Sequence, residues 1–429
     1  MKSYFTVFCI LLMFTLGTSI QANIIHVPAD TSSIQGGINM AVDGDTVLVA
    51  DAKYYENINF KGKKITVASH YLMDGDTSHI SNTTISGSAP SHPDSGSVVY
   101  FISGEDTNSV LCGFTITGGT GTIATVYLDR IAAGIIVFQS GAKILHNKIE
   151  ANTLNFGSIG GVGIGIEMIP SDITFVMDNE ISNNTGISNG GYSFGGGIAL
   201  RGDGGTCYIK NNNIHHNTIS GNSVAGGGIL AWLPGTTDEA KLIIENNSIC
   251  YNEISLLNPP ADALASGGGI ACHTDARFIV RDNQINYNKV YGPSDLEGGG
   301  LSYWSLSVSD TNGLIINNEF IGNQVNQVSP SLKGGGGGMS ISASPIISEN
   351  IITNNVSNRA GGINLSHLQT NRKAFISKFE QNYSQIKSPV ELAIRPVISK
   401  NIIRENTSLY SGGGIYLDAV SPLILKNIV

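Results

Sequence analysis

Arg201, Trp232, His273 and Trp304 share one sequence address. Each stands three residues after the first apolar residue of a glycine run, counted from Ile198, Ile229, Ile270 and Leu301. The same count reaches Glu167, Ser342, Ser366 and Asp418, and also Ala393 in a stretch without the glycines. If the residues after each run alternate as in a strand, this position faces away from the core. Rungs ~4.8 Å apart would then hold the two tryptophans roughly 10 Å from each other, close to the repeat of a disaccharide. They are the only two in the chain. Aromatic faces stack on sugar rings, while guanidinium, imidazole and carboxylate groups hydrogen-bond hydroxyls or uronates. Arg201, Trp232, His273, Trp304 and Asp418 are therefore expected to bind a polysaccharide or cell-surface glycan. The competing expectation is that the loops Glu253 to Ser266 and Val290 to Glu297 fold over the tryptophans as a satellite core, because an exposed Trp is costly without a partner.

Catalysis would use the same column. Arg201 and His273 would neutralise a uronate and move a proton, with Glu167 or Asp203 as the second acid or base. Hydrolysis needs two carboxylates about 5 to 10 Å apart, and the column has no adjacent pair. Elimination, a polysaccharide-lyase reaction, is the better enzymatic expectation. The reading leans to no catalysis and no cofactor, with calcium at Asp74-Gly75-Asp76 as the one metal alternative. Asp-Gly pairs more often only make turns.

These side chains need a scaffold that repeats. Asn-x-Ile-x-x-Asn recurs with its first asparagine at Asn147, Asn179, Asn212, Asn247, Asn283, Asn318, Asn350 and Asn401, with Phe320 for Ile once. A degenerate copy keeps Phe379 and Asn382 but has Ser377 at the head. Between these copies lie the glycine runs, such as Gly195-Gly196-Gly197-Ile198 and Gly226-Gly227-Gly228-Ile229, and one from Gly334 to Met339. The second asparagines are 24 to 36 residues apart. Such a period marks a solenoid.

Each repeat reads as a Gly-led strand, a turn, a second strand, Asn, a short strand, Asn and a loop. Three strands per coil define an all-β, right-handed, single-stranded parallel β-helix. Asn suits the corners because it bonds neighbouring backbone, tolerates left-handed dihedrals and can ladder with its own copy on the next coil. Glycine removes a Cβ where the chain turns sharply.

A short capping helix is expected inside residues 23–50: Asp30 to Ser33 supply N-cap residues, and Ile34, Ile38 and Ala41 share one face. Residues 51–429 form the solenoid, which stops at Val429 within a coil and is expected to continue beyond it. Residues 1–22 pair Lys2 with an apolar stretch from Tyr4 to Leu16 and end in small residues, the layout of a secretory signal peptide. The stretch is short of the ~20 residues of a membrane span, and no later one is longer, so no transmembrane span is expected.

With 24 Lys and Arg against 33 Asp and Glu, the net charge is -9, or -10 once Lys2 leaves with the leader. Nucleic acid and anionic membranes would be repelled. Beyond Cys9 in the leader, Cys112, Cys207, Cys250 and Cys272 are too sparse for a disulfide scaffold. Oligomeric state is not legible.

Ile25-His26-Val27-Pro28-Ala29-Asp30, Asp43-Gly44-Asp45-Thr46-Val47 and Tyr55-Glu56-Asn57-Ile58 resemble the N-terminal cap of exported right-handed β-helix proteins of the pectin-lyase-like superfamily. The Gly-Gly-Gly-Ile and Ile/Phe-x-x-Asn pairs look like the repeats of polymorphic outer-membrane proteins, surface-displayed autotransporter adhesins. The enzyme signatures of the superfamily are missing, including the Asn-Thr-Asp, Asp-Asp and Gly-His-Gly set. The resemblance implies an exported, surface-associated, adhesin-like protein, secreted or at the outer-membrane surface. A polysaccharide lyase or hydrolase and a structural spacer are the alternatives, since one fold hosts many functions.

Overall fold

The computed structural model describes residues 22–124, 129–233, 240–260, 263–274, 276–305, 313–327, 335–366 and 395–429. Residues 1–21 of the expected leader lie outside these, as do Gly334, Ser377, Phe379, Asn382 and Ala393.

Parallel strands stack rung on rung into a right-handed β-solenoid. In the coil that begins at Ile198, the strands are Ile198–Gly202, Thr206–Lys210, Asn213–His215, Thr218–Gly221 and Ser223–Ala225, before re-entry at Ile229. Repetition builds five sheets of 11, 13, 11, 8 and 8 described strands, named here in that order the Gly-led, broad, corner, first side and second side sheets. Gly121–Ala124 departs from this pattern, pairing antiparallel with Ser95–Gly96 and Asp129–Ile131.

The expected three strands per coil are thus corrected to five. The segment after the second asparagine varies in length and carries polar residues, so it reads as a loop. Its in-register apolar residues Leu154, Ile219, Ile254, Val290 and Val325 nevertheless bury with Val224, Ala265 and Leu296 in a second core. The main core lies inside the Gly-led, broad and corner sheets. Ile198, Ile229 and Ile270 pair in register, and pack with Ile209, Ile244, Ile214 and Ile249 out of contact with water. Each such side chain contributes about 2 kcal/mol of transfer free energy.

Both asparagine columns are continuous. Asn247 donates from Nδ2 to Asn283 Oδ1 at 2.9 Å, from its backbone N–H to the same oxygen at 2.9 Å, and from Nδ2 to the Ile209 carbonyl at 2.9 Å. The Nδ2-to-Oδ1 link runs from Asn147 through Asn179, Asn212, Asn247, Asn283, Asn318, Asn350 and Asn401 to Asn427. A second ladder joins Asn152 to Asn406. Asn355 bonds directly to Asn406, 51 residues on, which corrects the spacing expected through Asn382.

The left-handed residue at each corner is the one before the asparagine, which corrects the expected role of Asn. Asp178, Asn211, Asn246 and Asp282 precede the first column at φ 58, 56, 56 and 59°, and His216, Tyr251 and Tyr287 precede the second at 54, 58 and 58°. The turn points that residue outward, which frees the asparagine to face inward and satisfy two or three backbone groups. Glycine acts in two ways. Gly226 opens its run at φ 70°, whereas a Cβ on Gly228 would meet the Gly269 carbonyl oxygen of the next rung at 2.7 Å.

The helix Ile34–Met40 covers the first coil, with Ile34, Ile38 and Ala41 buried. Ser33 caps it by accepting from Gly36 N–H at 3.0 Å, and Glu56 accepts from Ile34 and Gln35 N–H, both at 2.9 Å. These bonds satisfy donors that a helix start leaves without partners.

Candidate functional site

The predicted column exists as a column. Along the Gly-led sheet Glu167 pairs with Arg201, Arg201 with Trp232, Trp232 with His273, His273 with Trp304, and Trp304 with Ser342. Ser366 pairs directly with Asp418, so the place expected for Ala393 is bridged by described residues. Ser342 and Ser366 share an Oγ···Oγ hydrogen bond of 2.9 Å.

The centre of the column does not face water. Trp232, His273 and Trp304 are 5%, 3% and 2% exposed. Phe194 and Ala225 of the second side sheet close over them, and Leu230 and Ala271 complete the cluster. This corrects the expected exposure of the tryptophans and their roughly 10 Å separation. The two indole rings meet edge to face at 5.7 Å between centroids, and the His273 ring lies 5.4 Å from Trp232 and 3.9 Å from Trp304. The large side chains lean across the rungs, along the solenoid axis, to reach each other once a second layer excludes water. His273 Nε2 is 3.3 Å from Ser266 Oγ, within that covering layer.

Toward the N-terminal end the cover opens. Small residues make the gap: in the next outward column Ile136 pairs with Gly165, Gly165 with Ala199, and Ala199 with Leu230. Two rungs without bulk between two with it leave a notch. The cleft is shallow, walled by Ile131, Ile136 and Phe138, with Glu167 and Arg201 lining it. Their side chains are 13% and 14% exposed, with Arg201 Nη2 3.8 Å from Glu167 Oε2. Burial pushes the Glu167 carboxyl above its ordinary range; the Arg201 charge opposes this, and the Asp203 charge adds to it. A carboxyl of this kind holds or releases a proton more readily near neutral pH than a solvated one.

Asp418 lies on the last Gly-led strand, Ile415–Asp418, half-buried and several rungs from the cleft. The Asp74-Gly75-Asp76 carboxylates serve local structure. Asp74 accepts from Asp76 N–H at 2.8 Å, Asp76 from Ser78 N–H at 2.9 Å, and Asp74 lies 3.3 Å from His79 Nε2. His79 Nδ1 is 2.6 Å from Asp51. Among the described residues no group of three or more His, Cys, Asp or Glu is placed to hold a metal ion. No helix of the described residues is long and apolar enough to cross a membrane.

Sequence reasoning missed two features. Phe138 has the same address as Glu167, three residues beyond Ile135, but a single Gly134 stands where later coils have a run. The outward position before the second asparagine carries His216, Tyr251 and Tyr287, stacked at centroid distances of 5.3 and 5.1 Å. Their common offset from Asn217, Asn252 and Asn288 was the available signal.

Comparison with family models, with curated proteins and with solved structures finds no match for this chain. The class of protein is defined by its architecture, an all-β parallel solenoid with a flanking two-sheet layer.

Proposed function

We propose that the chain is an exported, surface-associated rod that binds glycans without turning them over, as an adhesin does. Its binding seat is the cleft beside Glu167 and Arg201. The observation that carries this reading is the pairing of a guanidinium and a partly buried carboxyl against the apolar wall of Phe138 and Ile136. Sugars present hydroxyls on their edges and C–H groups on their faces, so they match polar groups set beside an apolar wall. Arg201 would accept a uronate as partner and Glu167 a hydroxyl donor. The resemblance of the cap to pectin-lyase-like proteins and of the repeats to polymorphic outer-membrane proteins supports export and display.

Burial of Trp232 and Trp304 favours a second reading, a structural spacer in which the column only joins two layers. The raised Glu167 carboxyl beside Arg201 favours a third, a lyase acting on an acidic glycan. One screen separates them. On an array of acidic and neutral glycans, binding should be present in the wild-type protein and fall at least tenfold in Arg201→Ala and Glu167→Gln. Binding unchanged in both variants removes the cleft from the function. No binding at all leaves the spacer, and ultraviolet absorbance from an unsaturated uronate, lost in Glu167→Gln, establishes the lyase.

A further inference from the structure

The broad sheet carries apolar side chains on both faces. Its inward residues Ile209, Ile244, Val280 and Ile315 fill the core. On the outward face Tyr208, Ile243, Ile279, Leu314, Ile346 and Val397 stand in one unbroken column, each pairing with the next. All six are half-buried. Phe175 extends the column at one end, stacked on Tyr208 at 4.8 Å, and Leu423 at the other. Continuous apolar runs such as Leu242-Ile243-Ile244 and Phe278-Ile279-Val280 are the mark of a parallel strand covered on both sides. No described layer seals these six from water as the second side sheet seals Trp232 and Trp304.

We infer that this stripe is the contact between two copies of the chain, laid face to face with their axes antiparallel. Three observations select a second copy. First, the stripe presents one apolar side chain per rung, at the ~4.8 Å period of strand stacking, and a surface with the same period matches it rung for rung along its whole length. Second, seven such steps and a five-residue strand give a footprint of about 550 Å² on each copy, so the pair covers about 1,100 Å², just above the ~1,000 Å² of a specific interface. Third, the neighbouring column changes character halfway. Beside Tyr208, Ile243 and Ile279 it holds Lys210, Glu245 and Arg281; beside Leu314, Ile346 and Val397 it holds Ile316, Ser348 and Ser399. With the two-fold axis between Ile279 and Leu314, each charged side chain faces an uncharged one, and Asp178 approaches Lys426 of the other end. A parallel arrangement, with the two-fold axis along the stripe, would set Arg281 against Arg277 of the other copy at the middle of the contact.

The test is sedimentation of the mature chain over a concentration series, with Ile279→Lys and Ile243→Lys in mid-stripe and Asn213→Lys, exposed on the corner sheet, as the control. Circular dichroism checks that each variant keeps its fold, and Ile279→Thr replaces any that does not. The expected result is a wild-type dimer in the micromolar range, a dissociation constant at least tenfold higher in the two mid-stripe variants, and little change in Asn213→Lys. A wild-type monomer at every concentration overturns the inference, as does a dimer that both mid-stripe variants leave intact. A monomer that co-sediments with phosphatidylglycerol vesicles, and loses this in Ile279→Lys, also overturns it by making a lipid surface the occupant.

Discussion

Asn283 gives its side-chain amide to Oδ1 of Asn318 at 2.9 Å, and the same oxygen receives the Asn283 backbone N–H at 3.0 Å. Each rung therefore supplies the acceptor that the rung before it requires, and the corner is a chain of amides with a fixed direction. Asn283 also donates to the carbonyls of Ile244 and Arg281, both at 2.9 Å. Replacement by Leu leaves these groups buried without partners, at about 1 to 3 kcal/mol each. We expect Asn283→Leu to lower unfolding free energy by about 3 kcal/mol or more in urea titrations. Asn283→Asp should do the same at neutral pH and recover in part at low pH, where a protonated carboxyl regains one donor. A loss below about 1 kcal/mol in both variants would make the ladder an ornament of the fold.

Trp232 and Trp304 touch each other beneath the second side sheet. Truncating a buried aromatic costs about 3 to 5 kcal/mol, so Trp304→Ala should destabilise the protein by that amount. Native tryptophan fluorescence should be blue-shifted and poorly quenched by acrylamide. Strong quenching in the folded protein, with Trp304→Ala as stable as wild type, would return the indoles to the surface.

Burial pushes the Cys112 thiol up to about 11 and the Cys207 thiol up to about 12, and raises Cys272 as well. Cys250 is only half-buried, and all four are free thiols. The thiolate is the reactive form. Iodoacetamide followed by peptide mapping should therefore label Cys250 in the native protein and reach Cys112, Cys207 and Cys272 only after unfolding. Equal labelling of all four under native conditions would contradict the layered core.

The Glu167 carboxyl is raised by burial against the opposing charge of Arg201. A group whose folded value lies above its unfolded value of ~4.3 contributes stability that is complete below ~4.3 and is lost as pH climbs through the folded value. Wild-type stability should fall over that interval relative to Glu167→Gln, and the difference should level off above it. Denaturant titrations at a series of pH values read this directly. Two parallel curves would show that the carboxyl is solvated.

Rung-to-rung register could be read from the sequence because identical residues serve identical places. The spacing of Asn212, Asn247 and Asn283 located the corners, and Ile214, Ile249 and Ile285 inside the same motif located the core. The address that grouped Glu167, Arg201, Trp232, His273 and Trp304 was equally sound as a register. What it could not carry was depth. A period of two says which side of a sheet a residue takes, and is silent on whether a second layer lies beyond that side.

The repeat pattern by itself determined the solenoid, its ladders and the facing of its strands, because stacking like on like makes every coil obey the same local rules. Only the tertiary structure decided which outward positions meet water. The side sheets are built from segments of unequal length after each second asparagine, and their own strands close over Trp232 and Trp304 while Gly165 and Ala199 leave a notch beside Glu167. Whether a side chain is covered depends on the bulk that arrives from another part of the coil, and no count along a single strand contains that information.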